Sequence, residues 1–114
     1  MNIFYGNSCG KADVPGDCTT QASLETALEV FRGLDPQSGF MGIHLDERFV
    51  VQFAPKKHSR IRVELLDTAR PAFDACVTDA EFAEELIQAA AEGRDVFQIA
   101  RTSKHEWEHT DMGR

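Results

Sequence analysis

Between Phe40 and Leu66 the chain alternates apolar and polar side chains three times over, and this alternation constrains its fold more than any other feature. Met41, Ile43 and Leu45 form the first run, Phe49, Val51 and Phe53 the second, Ile61, Val63 and Leu65 the third. Successive strand side chains point to opposite faces. A period of two therefore gathers these residues on one face and leaves His44, Gln52, Arg60, Arg62 and Glu64 on the other. A sheet that is apolar on one side has to bury that side against a second layer.

That layer is predicted from two amphipathic helices. The first places Leu24, Ala27, Leu28 and Phe31 at helical spacing after Thr20, a residue suited to capping, and cannot continue through Pro36. The second is bounded by Thr78 and Gly93. Thr78 with Glu81 has the spacing of a capping box, and Val77 with Phe82 that of a hydrophobic staple. Phe82, Leu86 and Ala90, with Ala83 and Ile87, form its apolar stripe. Around this nucleus, Asn2 to Tyr5 reads as an edge strand, Gly6 to Cys18 as a loop, Ala72 to Val77 as a fourth meander strand and Val96 to Ala100 as a last strand. The expected architecture is α+β: an antiparallel β-meander sheet of about four or five strands with two helices packed on one face. Phe31, Phe53, Val63, Phe82 and Leu86 are expected to meet in its core. Residues 1–102 read as one domain and residues 103–114 as a polar C-terminal tail.

Charge narrows the partners. The net charge is −7, with two bases against five acids in residues 1–35, six against four in 36–70, and four against ten in 71–114. Such a balance disfavours nonspecific nucleic-acid binding, which depends on neutralising phosphates. It favours a basic partner, because clustered charge of one sign accelerates association with the other. Asp79, Glu81, Glu84, Glu85 and Glu92 sit on and around the second helix, opposite its apolar stripe, and are the candidate partner-binding residues. No apolar run approaches the ~20 residues that a membrane helix needs. No charged segment followed by an apolar one opens the chain, so a cytoplasmic location is expected.

Signals for chemistry are sparse. His105-Glu106-Trp107-Glu108-His109 matches H-E-x-x-H, which on a helix turns two imidazoles to one side to hold Zn²⁺ with the glutamate as general base. Only five residues follow His109, and a third ligand is hard to supply from them. A metal-binding protein or zinc-dependent hydrolase built on His105 and His109 is the alternative reading, beside a polar segment whose Trp107 packs back on the domain. Cys9 and Cys18 stand at the two ends of one loop and are open to bridging or to remaining free thiols, while Cys76 reads as a small buried hydrophobe. Lys56, Lys57 and His58 with Arg60 and Arg62 read as a solvated hairpin tip and polar sheet face. No catalytic residue and no cofactor is assigned.

The layout resembles that of small bacterial proteins of the toxin-immunity kind. The similarity runs over about residues 20–93, through S-L-E-T-A-L-E-V-F, the G-F-M-G-I-H-L, F-V-V-Q-F and I-R-V-E-L meander, and T-D-A-E-F-A-E-E-L. Such proteins bind and block a cognate toxin stoichiometrically and carry no catalytic residues, so the resemblance implies an inhibitory, acidic binding surface. The expected function is thus a non-enzymatic protein-binding module, with self-association through an open sheet edge as a further expectation.

Overall fold

The computed structural model describes residues 1–111; the last three residues of the expected tail, 112–114, lie outside the described residues. In chain order the elements are β1 (Asn2–Gly6), β2 (Thr20–Gln21), α1 (Leu24–Arg32), β3 (Phe40–His44), β4 (Phe49–Lys56), β5 (Arg60–Asp67), β6 (Ala72–Asp79), α2 (Ala80–Ala91), α3 (Val96–Arg101) and β7 (Glu108–Asp111). The strands form one antiparallel sheet in the order β2-β1-β3-β4-β5-β6-β7. The α+β class and the β3–β6 meander follow the sequence pattern. The number of elements does not: the sheet has seven strands rather than four or five, and there are three helices rather than two among the described residues.

Each extra element has a physical reason for having escaped the pattern. Thr20 and Gln21 pair with Ile3 and Asn2, so β1 lies inside the sheet and not at its edge. Two residues are too few to show a period. Glu108–Asp111 pairs with Ala72–Ala75 while all four of its side chains stay exposed, so the segment read as a polar tail is polar yet built into the sheet. Val96–Ala100, expected as a strand, is helical. Short apolar runs do not separate strand from helix, and here the Asp95 carboxylate settles the matter by accepting the Gln98 N–H at 3.1 Å as an N-cap.

Strand register sorts the side chains into cross-strand rows. Ile3, Ile43, Val51 and Leu65 form one row; Met41, Phe53, Val63 and Cys76 form the next. These residues share the hydrophobic core with Ala27, Val30 and Phe31 of α1, Phe82, Leu86 and Ile87 of α2, and Val96 and Phe97 of α3. The expected meeting of Phe31, Phe53, Val63, Phe82 and Leu86 is thus present, with the Phe31 and Phe53 rings edge to face at 5.8 Å. Phe53, Val63 and Leu86 are wholly inaccessible to solvent. Burying a side chain of this size contributes roughly 1.5–3 kcal/mol.

The alternate rows hold His44, Val50, Leu66 and Phe73, then Gly42, Gln52, Glu64 and Ala75, then Ala54, Arg62 and Val77. Phe4, opposite Gly42, belongs to the same face, and its ring lies across that glycine. A methyl group at Gly42 would sit 2.0 Å from Phe4 Cζ, so no larger residue fits without displacing the ring.

Both longer helices are capped one to three residues later than the sequence suggests. Ser23 caps α1, its hydroxyl accepting the Thr26 N–H at 3.1 Å, because Thr20 is engaged in β2. Asp79 caps α2, accepting the Phe82 N–H at 2.9 Å. The β5–β6 ladder runs to Arg60↔Asp79, which holds Thr78 in the strand, 2% exposed, and turns Val77 to the opposite face, where it is 45% exposed. The capping box and staple therefore do not form. Gly93, at φ 72°, follows α2 in the left-handed conformation that ends helices.

Candidate functional site

The five acids assigned to partner binding all lie on or beside α2, but they do not form one uniform cluster. Asp79 is spent as the N-cap. Glu84 receives both Nε and Nη2 of Arg32, at 3.1 and 2.7 Å, which ties α2 to the last turn of α1. Glu92, the C-cap residue, lies 3.5 Å from Arg94 and accepts from Gln88 Nε2 at 3.3 Å. Glu81 and Glu85 remain exposed on the outer side of the helix, four residues apart, and take part in no ion pair among the described residues. Beneath them Phe82, Ala83, Leu86, Ile87 and Ala89 are buried, so the two free carboxylates stand on a firmly seated helix.

The H-E-x-x-H segment is not a helix. Residues 105–107 run irregularly into β7, so His105 and His109 are not brought to one side by helical spacing. His105 stacks on Phe82 and shares a 2.6 Å hydrogen bond with the Thr78 hydroxyl. His109 stands opposite Asp74 in the β6–β7 ladder and its Nδ1 lies 2.6 Å from Asp74 Oδ1, with the Arg101 guanidinium 3.7 Å from the other carboxylate oxygen. Trp107 packs against the core, as expected, and donates its indole N–H to the Ala100 carbonyl at 3.1 Å. Among the described residues no three His, Cys, Asp or Glu side chains gather as a metal-binding group. The segment works as a clasp that fastens the chain end to β6, α2 and α3.

Cys9 and Cys18 are free and exposed, and Cys76 is free and buried. Desolvation raises the Cys76 thiol to about 11, which keeps it protonated and unreactive at neutral pH. Three aspartates organise the turns, Asp35 and Asp46 exposed and Asp67 half-buried. Asp35 accepts from Ser38 Oγ and from the Ser38 and Gln37 N–H groups, Asp46 from the Phe49 and Arg48 N–H groups, and Asp67 from the Arg48 guanidinium. These bonds hold all three carboxyls below their ordinary range.

The basic residues read as a solvated hairpin tip and polar sheet face part company in the structure. Arg62 is on the sheet face with Glu64, 3.2 Å away. Lys56, Lys57 and Arg60 instead border a groove of about 550 Å³ between the β4–β5 hairpin, the end of α1 and the start of α2. Arg32 reaches the same groove from α1. Sequence reading missed this juxtaposition because Arg32 and Lys57 are far apart along the chain. Among the described residues no helix is long and apolar enough to cross a membrane. Comparison with protein-family models, with curated proteins and with solved structures found no match.

Proposed function

We propose that this chain is a non-enzymatic protein-binding module, an immunity-type inhibitor that docks a basic protein partner on α2. In this reading the three helices cover the sheet face carrying the Phe53 row and leave α2 as the outer surface of the molecule. Glu81 and Glu85 are the central contacts, with Glu92 at the far end. Glu84 and Asp79 support the helix and do not contact the partner. The observation that carries the reading is the exposed, unpaired Glu81–Glu85 pair on a helix whose opposite side is buried. A charge held on a rigid support loses little side-chain and backbone freedom when it binds, and clustered like charge speeds encounter with an opposite one.

The edges of the sheet are less suited to pairing with a second copy. One ends in the two-residue β2 and the other in the four-residue β7, and short edge strands are a common means of blunting an edge.

The test is affinity capture of the partner on the full chain, followed by association kinetics with Glu81→Gln/Glu85→Gln. The reading expects association slowed about 3- to 10-fold at low salt, a flatter salt dependence, and loss of the partner's activity at a one-to-one ratio. Unchanged association, or a partner whose activity survives saturation, would overturn it.

A further inference from the structure

We infer that the groove beside the β4–β5 hairpin is a second binding site, one that takes an acidic peptide segment of a partner protein carrying an apolar anchor residue. This goes beyond the α2 reading: the groove takes the opposite charge and does not use Glu81 or Glu85, so either proposal can fail alone.

The argument begins with charge. The chain has 12 lysines and arginines against 19 acids, yet Arg32, Lys56, Lys57 and Arg60 line this one groove. Its one carboxylate, Glu84, is already occupied by Arg32. Arg60 donates to the Val77 carbonyl at 3.3 Å and keeps its remaining donors. Lys56 and Lys57 are exposed and have no ion pair among the described residues. Arg32 is thus balanced by Glu84, while Lys56, Lys57 and Arg60 leave the rim cationic, with no ion pair of their own among the described residues.

The floor is apolar. Edges of Phe31, Leu34 and Ile61, each 5–7% exposed, reach the groove, and Pro36 and Pro55 wall it. A concave site of a few hundred Å³ with an apolar floor and a few polar groups is the usual form of a ligand pocket. A cationic rim over such a floor matches carboxylates flanking one Leu, Ile, Phe or Met. A nucleic acid fits it poorly. Phe31 is buried, the exposed His58 ring at the hairpin tip offers one platform and not the succession that stacked bases need, and the neighbouring acids of α2 repel a long polyanion.

The hairpin is also held against local preference. His58 and Ser59, at its tip, both adopt positive φ, 62° and 58°. Asn-Gly is the pair such a turn favours. Strained backbone tends to persist where a surface is used.

The experiment is selection of a displayed library of random eight-residue peptides on the immobilised full chain. Enriched peptides should carry at least two Asp or Glu and one large apolar residue. The synthetic form of the most enriched should shift the amide resonances of Leu34, Lys57 and Ile61. Its affinity should fall at least tenfold for Lys56→Glu/Lys57→Glu and persist for Lys56→Arg/Lys57→Arg. Both lysines are exposed, so the fold should survive, and Lys56→Gln/Lys57→Gln replaces the first variant if its circular dichroism differs from that of the parent. The inference is overturned by no enrichment, by enrichment of neutral or basic peptides, by shifts elsewhere on the surface, or by an oligothymidylate of eight nucleotides binding more tightly than the peptide.

Discussion

The imidazole of His105 lies on the ring of Phe82, with centroids 4.2 Å apart and planes 28° from parallel. The same imidazole closes a 2.6 Å hydrogen bond to Thr78, whose hydroxyl is otherwise sealed from water at 2% exposure. One side chain thus joins the C-terminal segment to both the strand and the helix whose boundary it overlies. The first half of an apparent metal motif has become a structural bolt.

His105→Ala should leave the Thr78 hydroxyl buried without a partner and cost about 1–3 kcal/mol, since an unsatisfied buried group carries its full desolvation penalty. Thr78→Val in the same background removes the orphaned group and should recover much of the loss. Urea denaturation of both single variants and the double variant measures the coupling. Strictly additive effects would show that His105 and Thr78 do not depend on each other.

Replacing His58-Ser59 by Asn-Gly should raise stability by about 1 kcal/mol, because both positions hold a left-handed backbone that costs an ordinary residue about that much. The Arg60 N–H to Lys57 carbonyl bond that closes the turn should be kept. Thermal unfolding of the double substitution is the check. A lower midpoint would mean that the His58 or Ser59 side chain makes a stabilising contact of its own.

Acid should unfold the protein through its turns. The carboxyls of Asp35, Asp46 and Asp67 are lowered in the folded state by the bonds they accept, relative to an unfolded value of about 3.9. A group whose pKa falls on folding contributes stability that is fully present above the unfolded value and is lost as pH drops through the folded one. Urea midpoints should hold level between about pH 7 and pH 5 and fall below about pH 4. Asp67→Asn should flatten that fall, and a slope identical to the parent's would remove Asp67 from the account.

Residues whose role is local were legible in the chain. The alternation of Met41 to Leu65 names the meander, its inward face and its core, because side-chain direction in a strand depends only on position parity. The stripe of Phe82, Leu86 and Ile87 likewise names the buried side of α2, and so leaves Glu81 and Glu85 facing outward. The cap of α2 is misread from the local pattern, which points to Thr78 with a capping box, whereas the N-cap is Asp79. Thr78 and Asp79 are both good caps, and only the length of the β5–β6 ladder, ending at Arg60↔Asp79, gives the role to Asp79.

Long-range pairing decided the rest. β2 and β7 carry no apolar alternation and exist because β1 and β6 offer them unpaired backbone groups, a property of the partner strand and not of their own residues. His105 and His109 were read by helical spacing, but pairing of Glu108–Asp111 with β6 draws the segment out straight and sends the two imidazoles to Thr78 and Asp74. The groove arises the same way, when Arg32 from one helix is brought to Lys56 and Lys57 of a hairpin more than twenty residues later. Periodicity and capping are written in neighbouring residues and can be read there. Which backbone finds which, and which distant charges then share a surface, is settled only when the sheet closes over its core.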